Sequence, residues 1–257
     1  MAAEVAAVTT GTGTPAAEAV APNRLTPWKL LAWAVFWSAL AYSGLLLQAF
    51  LVGFVLALTG RGEEVAEMAD TAGYAIVSGT VLLSLFTWFG LRNARKASGG
   101  DLRAGLGYGP IQQPRLVALI IGLLLLYGFS IGFLDINPYP NLTRHIREMD
   151  AWLLVLAALL VGIGAPIAEE VFFRGWLWTA LRKHWGVPAT AIATALLWYA
   201  IHIGHGLVYM TMLVVPIIAI TLVRHIGGSL RASILGHMIY NIYCVANWLV
   251  VAFVLEV

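Results

Sequence analysis

The chain has 257 residues, of which 60% are hydrophobic and 11% are charged, with a mean hydropathy of +0.84. A soluble domain of this length carries roughly twice that charged fraction, so the composition excludes a soluble globular protein. The net charge of +2 offers no nucleic-acid surface, and the single cysteine, Cys244, excludes an intrachain disulfide framework.

Residues 1–27 contain mostly Ala, Thr, Gly, Pro and Glu, and they predict a disordered tail rather than a cleavable signal peptide. The remainder, 28–257, is predicted to form a single membrane domain. Apolar runs of spanning length indicate an all-α, polytopic helical membrane protein with about seven transmembrane helices, and six to eight are compatible with the pattern. The predicted spans are 28–58, 73–91, 115–134, 151–183, 188–205, 207–223 and 230–255.

The positions of Lys and Arg predict the orientation of these spans. If the N-terminus is cytoplasmic, only Arg61, Arg144 and Arg147 of the 15 cations fall in outer loops, while Arg174 lies within a span. All the others fall in cytoplasmic segments. This bias predicts an inner-membrane protein with its N-terminus in the cytoplasm and its C-terminus outside.

A first polar cluster, Glu169, Glu170 and Arg174, lies within the fourth predicted span. Charge at membrane depth is costly and usually has a partner and a function. Glu170 and Arg174 are four residues apart, so they can pair on one helix face. Glu169 points about 100° away and has no obvious local partner. Apolar surroundings make a carboxylate more basic, which suits a general base. The alternative is that Glu169 and Glu170 are interfacial charges at a helix end whose side chains reach to water.

Two further clusters follow, each with two side chains four residues apart and therefore on one helix face. Trp198 and His202 lie on the fifth predicted span, and His237 and Asn241 lie on the last. His237 and Asn241 can both donate to one oxygen, as an oxyanion hole requires. Three alternatives remain open. The histidines could bind a metal ion, and His202 could be a buried core residue. His237 and Asn241 could also only form hydrogen bonds between helices.

The relative depth of the clusters can also be predicted. The turn near 184–188 lies midway between Glu169 and His202, so both should lie at one height, roughly 20–25 Å from that turn and towards the outer face. His237 and Asn241 follow the start of the last span by only about 9–15 Å, so they are predicted to be shallower unless that helix begins deeper or tilts. His205, three residues after His202, could line the same cavity, but a role as cap of the outer turn is favoured.

The three motifs, in this order and on separate spans, resemble those of the CAAX protease and bacteriocin-processing family. These proteins are intramembrane endopeptidases and include the type II CAAX prenyl endopeptidases. The resemblance covers about 150–245, and Trp198 stands where the family usually has Phe. It implies that Glu169 activates water with the help of His202, and that His237 and Asn241 stabilise the oxyanion. Glu170 and Arg174 would support the site.

The resemblance leaves the cofactor open, because the family has been described both as metal-dependent and as metal-free. Glu169, His202 and His237 would be the zinc ligands of a metalloprotease. A metal-free site with no cofactor is favoured, because asparagine is a poor zinc ligand and suits an oxyanion hole better. The expected partners are the lipid bilayer and a membrane-anchored protein or peptide substrate, with no nucleic acid.

The depth of Glu169 and His202 favours an outward-facing site. The expected substrate is therefore an exported protein or peptide, cleaved near a membrane-embedded sorting signal or leader. Two other classes remain as alternatives: a non-catalytic immunity or scaffold protein of the same fold, and a proton-coupled transporter.

Overall fold

The computed structural model describes residues 25–64, 72–133 and 142–254. Nearly all of these residues are helical and none of them forms a strand, which confirms the all-α prediction. Most of the predicted tail, residues 1–24, lies outside the described residues. The helices are α1 Pro27–Leu58, α2 Ala72–Ala97, α3 Leu102–Leu106, α4 Pro114–Phe133, α5 Leu142–Glu148, α6 Ala151–Leu181, α7 Val187–Ala200, α8 Leu207–Gly227 and α9 Leu230–Phe253.

Six of the described helices, α1, α2, α4, α6, α8 and α9, are long and apolar enough to cross a membrane. The protein is therefore a polytopic helical membrane protein, as predicted. The fifth predicted span, 188–205, is shorter than expected: α7 has 14 residues and a length of about 21 Å, against about 30 Å of bilayer core. Its helix ends before Gly204 and Gly206, whose positive φ angles of 115° and 89° suit a tight turn.

The long helix α6 contains two π-helical segments, Leu160–Gly164 and Glu170–Leu177. Such segments are rare and are frequently found at functional sites. Pro166 explains the first, because it has no N–H to donate to a carbonyl of the preceding turn. The carbonyl of Val161 instead accepts a hydrogen bond of 2.9 Å from Asn241 on α9. The proline thus exposes a backbone acceptor towards another helix.

Close packing of α2 fixes the orientation of α6. A side chain at Gly90 would place its Cβ 3.1 Å from the Cα of Phe172, so it would force the two helices apart by a few tenths of an ångström. Phe86 of α2 packs edge-on against Phe172, with ring centroids 5.0 Å apart. It also contacts the Phe173 ring at 5.9 Å, and all three side chains are buried. The opposite edge of α6, which carries the charged residues, faces α7 and α9.

The ends of several helices meet at one end of the bundle, which we call the basic end: the C-terminal ends of α2, α6 and α8 and the N-terminal ends of α4 and α9. Lys183, after α6, donates to the carbonyl of Ala97 at 3.0 Å. The amide of Leu230 donates to the carbonyl of Gly107 at 3.0 Å. Most cations of the predicted cytoplasmic segments therefore lie at this end.

The first turn of α9 is covered by the segment 107–112 rather than lying at the surface. Leu230 is 1% exposed and Ser233 is fully buried, and the hydroxyl of Ser229 donates to the carbonyl of Gly109. Of the alternatives for the last span, the deeper start is therefore the one observed, because α9 begins inside the protein and brings His237 to the two glutamates of α6.

Candidate active site

A cavity of about 370 Å³ lies between α4, α6, α7, α8 and α9. All four predicted catalytic side chains line it: Glu169, His202, His237 and Asn241. Most of the remaining lining is apolar or aromatic, as at Ile131, Leu213 and Ile220. The two predicted supporting residues, Glu170 and Arg174, lie behind this wall and are fully buried.

Glu169 is held by a side chain from the neighbouring helix. The indole Nε1 of Trp198 donates a hydrogen bond of 2.5 Å to Glu169 Oε2. Glu169 is 9% exposed, and its carboxylate lines the cavity. The prediction that Glu169 lacks a partner is therefore wrong. Single-helix geometry predicted only contacts within α6, whereas the partner lies on α7.

His237 lies between the two glutamates. Its Nδ1 is 3.1 Å from Glu170 Oε1, and its Nε2 is 4.0 Å from Glu169 Oε2. Because a carboxylate can only accept, we assign the Nδ1 proton to the bond with Glu170. The other ring nitrogen is then directed to Glu169 and the cavity. Glu170 thus orients His237, a role that the sequence pattern did not reveal.

The predicted pair of Glu170 and Arg174 is confirmed. Arg174 Nη1 lies 3.1 Å from Glu170 Oε1, and both side chains are fully buried. The Arg174 guanidinium also lies over the Trp198 ring, 4.8 Å from its centroid. A buried carboxylate that is shared by a guanidinium and an imidazole offsets part of the cost of burying all three groups.

His202 lies in the turn after α7 and contacts the site through Trp198. Its Nδ1 is 2.8 Å from the backbone carbonyl of Trp198, and the two rings pack with centroids 4.7 Å apart. A carbonyl only accepts, so Nδ1 carries the proton, and Nε2 is unprotonated in the neutral ring. His202 can therefore accept a hydrogen bond at Nε2.

Asn241 lies one turn beyond His237 on α9. One hydrogen of its amide is used in the bond to the Val161 carbonyl. The side-chain NH₂ group has two hydrogens, so a second donor remains. The first π-helical segment of α6 thereby fixes the orientation of this amide at the cavity wall.

Two further side chains contribute to this site. Trp198, which stands where the family usually has Phe, bonds Glu169 through its N–H, and the sequence carries no signal for this bond. His205 lines the cavity with Tyr209, and their ring centroids are 5.1 Å apart. Its spacing, three residues after His202, allowed this position, although a role as cap of the outer turn was favoured.

A zinc site would require three ligands at bonding distance. Among the described residues, no three His, Cys, Asp or Glu side chains converge closely enough to hold a metal ion. The set Glu169, His202 and His237 lines one cavity but is not arranged as a coordination sphere.

The fold and the cavity define a polytopic membrane protein with a buried site of carboxylate, imidazole and amide groups. Comparison with protein families identifies residues 151–243 as matching the family described as type II CAAX prenyl endopeptidase Rce1-like. This match confirms the resemblance to the CAAX protease and bacteriocin-processing family over the stretch that carries all three motifs. No curated protein and no solved structure matches the chain significantly.

Proposed function

We propose that this protein is an intramembrane endopeptidase that hydrolyses a peptide bond in a membrane-anchored protein or peptide. One observation carries the proposal: Glu169 and His237 face each other at 4.0 Å in a largely apolar cavity that His202 and Asn241 also line. The family match supports protease activity.

Glu169 acts as the general base. Trp198 occupies one lone pair of Oε2, and the other lone pairs of the carboxylate can accept a proton from water. Apolar walls strengthen this interaction, because the local dielectric constant is low. His202 assists by accepting a hydrogen bond from the same water at Nε2. Positioned proton transfer of this kind contributes about 10²–10⁴-fold to a rate.

The activated water attacks the carbonyl carbon of the scissile bond, and the carbonyl oxygen becomes an oxyanion. The Nδ1–H of His237 stays bound to Glu170, and in the doubly protonated ring the Nε2–H donates to the oxyanion. The second amide hydrogen of Asn241 provides the other donor. Glu169 next gives its proton to the leaving nitrogen, the C–N bond breaks, and a new carboxyl group and a new amine are released.

The site would be reached from the outer face of the membrane. The cations gather at the basic end, which the positive-inside rule assigns to the cytoplasm. His202 and His205 lie in the turn after α7, and that helix runs back from the basic end. The N-terminus would then be cytoplasmic and the C-terminus outside the inner membrane. The substrate class that fits is an exported protein or peptide with a membrane-embedded sorting signal or leader.

Cysteine labelling tests this orientation. Ile203 is 73% exposed in the turn next to His202, so Ile203→Cys in a Cys244→Ser background gives a single reactive thiol. We expect an impermeant maleimide to label it from the outer face of intact cells. Labelling only in inverted vesicles would contradict the outward-facing site without affecting the protease proposal.

The protease proposal is tested with Glu169→Gln, which keeps the shape of the side chain but removes the base. Sequencing of protein termini in the membrane fraction should show peptide termini that are present with the wild-type protein and lost with this variant. The exposed Glu63 provides the matched control, Glu63→Gln, which should retain them. Unchanged termini and an unchanged cellular phenotype in Glu169→Gln would favour the scaffold alternative. Proton-coupled solute uptake by the reconstituted protein would favour the transporter.

A further inference from the structure

A second cavity lies at the basic end, on the opposite side of α6 from the candidate active site. Its volume is about 590 Å³, and it lies where α1 begins and where α2 and α6 end. We call it the basic cavity, because four basic side chains line it together with apolar ones. The basic residues are Arg92, Lys96, Lys183 and His184. No Asp or Glu of the described part of the chain lines it.

The cations of the basic cavity have no carboxylate partner among the described residues. The ion pairs of this part of the chain join Arg61 to Glu64, Arg174 to Glu170, and His237 to the two glutamates of the active site. Asp101, the only acidic residue between α2 and α4, accepts a hydrogen bond from the amide of Ala104 at the start of α3. Three neighbouring cations without a counter-charge favour the binding of an anion.

Two of these cations are positioned by contacts to the protein. The Arg92 guanidinium lies over the rings of Trp37 and Trp88, 5.6 and 5.8 Å from their centroids. Lys183 Nζ donates to the carbonyl of Ala97, which holds its ammonium group at the end of α2. A guanidinium that packs with its face on aromatic rings keeps the N–H groups of its edge for a phosphate.

The other wall of the basic cavity is aromatic and continues along an apolar helix face. Trp33 and Trp37 of α1 form part of this wall. Beside them, Val35 and Phe36 are about half exposed, and in a membrane such a surface contacts acyl chains. Tryptophan and cationic side chains together are typical of the membrane–water interface. A ligand that satisfies both walls has an anionic head and apolar chains.

We propose that the basic cavity binds the phosphate headgroup of an anionic phospholipid, with the acyl chains along α1. Basic pockets between transmembrane helices at the cytoplasmic face are suited to such headgroups. The lipid would join α1 to the ends of α2 and α6. Since α6 carries Glu169, occupancy of this site would stabilise the helix that positions the proposed catalytic base.

The test uses the full chain in a neutral detergent and follows its thermal unfolding. Short-chain phosphatidylglycerol should raise the midpoint, since a ligand that binds the native state stabilises it, while phosphatidylcholine at equal concentration should have little effect. Arg92→Gln/Lys96→Gln should lose this shift. Lys183→Gln, a milder change, should reduce it. High salt should weaken the shift in the wild-type protein.

A matched control exists at the same end of the bundle. Arg103 and Arg231 are exposed and lie over the Tyr108 ring at 5.8 and 5.7 Å, outside the basic cavity. Arg103→Gln/Arg231→Gln removes the same charge and should keep the phosphatidylglycerol shift. Equal losses in the two double variants would overturn the proposal in favour of a diffuse surface charge.

Three further outcomes would also overturn the proposal. An equal shift from inorganic phosphate alone would assign the cavity to a soluble anion, and an equal shift from phosphatidylcholine would remove the requirement for charge. A phosphatidylglycerol shift that appears only after deletion of residues 2–24 would assign the cavity to that segment of the chain.

Discussion

Trp198 and Glu169 are joined by a hydrogen bond of 2.5 Å from the indole Nε1 to the carboxylate Oε2. The same indole contacts His202 and His237, with ring centroids 4.7 and 5.5 Å away, and lies under the Arg174 guanidinium. Trp198 therefore contacts residues of all three polar motifs. A phenylalanine at this position would keep the packing but not the bond to the base.

Trp198→Phe is expected to lower kcat/KM while the protein stays folded. The indole N–H bonds Glu169 Oε2, and a hydrogen bond to a charged group is worth about 1.5–3 kcal/mol. Its loss leaves the carboxylate without the donor that positions it, so kcat/KM should fall by about 10-fold or more. The kcat/KM of the purified protein in detergent, measured with a cleavable membrane peptide beside the thermal unfolding midpoint, checks this.

The control for that variant is Trp178→Phe. Trp178 is also buried and also lies against an arginine, since the Arg224 guanidinium is 5.5 Å from its ring centroid, but it does not line the cavity. Its kcat/KM should match that of the wild-type protein. If both variants lose the same share of kcat/KM, Trp198 acts only in packing.

Asn241→Ala is expected to lower kcat much more than it changes KM. Loss of one oxyanion donor costs about 10²–10³ in kcat, because the interaction forms only in the transition state. The substitution also leaves the Val161 carbonyl without its partner, so thermal unfolding should be measured in parallel. A normal kcat in a folded Asn241→Ala protein would contradict the oxyanion role.

The proposed chemistry is also expected to persist without metal. After dialysis against EDTA and 1,10-phenanthroline, the protein should keep full proteolytic activity, because the catalytic steps use Glu169, His202, His237 and Asn241 alone. Metal analysis of the purified protein provides the second readout. Loss of activity on chelation, with recovery on addition of zinc, would replace the metal-free mechanism by the alternative in which Glu169, His202 and His237 hold zinc.

Local spacing predicted what lies within one helix, and tertiary packing determined the rest. The pair of Glu170 and Arg174, four residues apart, could be read directly from the sequence, as could the long apolar helices. The contacts of Trp198 with Glu169 and of His237 with Glu170 could not, because they join residues 29 and 67 positions apart. The depth at which α9 begins was left open, since the cover over Leu230 comes from residues before α4.

Arg174→Gln is expected to destabilise the folded protein strongly. Glu170 and Arg174 are both fully buried, and removal of the guanidinium leaves the carboxylate with only the His237 imidazole as its partner, at a cost of about 3–5 kcal/mol. The exposed pair of Arg61 and Glu64 provides the comparison, with side chains 60% and 40% exposed. The hydrogen bond from Arg61 holds the pKa of Glu64 below its usual value, yet exposed ion pairs contribute little to stability. Arg61→Gln should therefore leave the unfolding midpoint in detergent nearly unchanged. A similar small effect of Arg174→Gln would show that His237 alone compensates the buried carboxylate of Glu170.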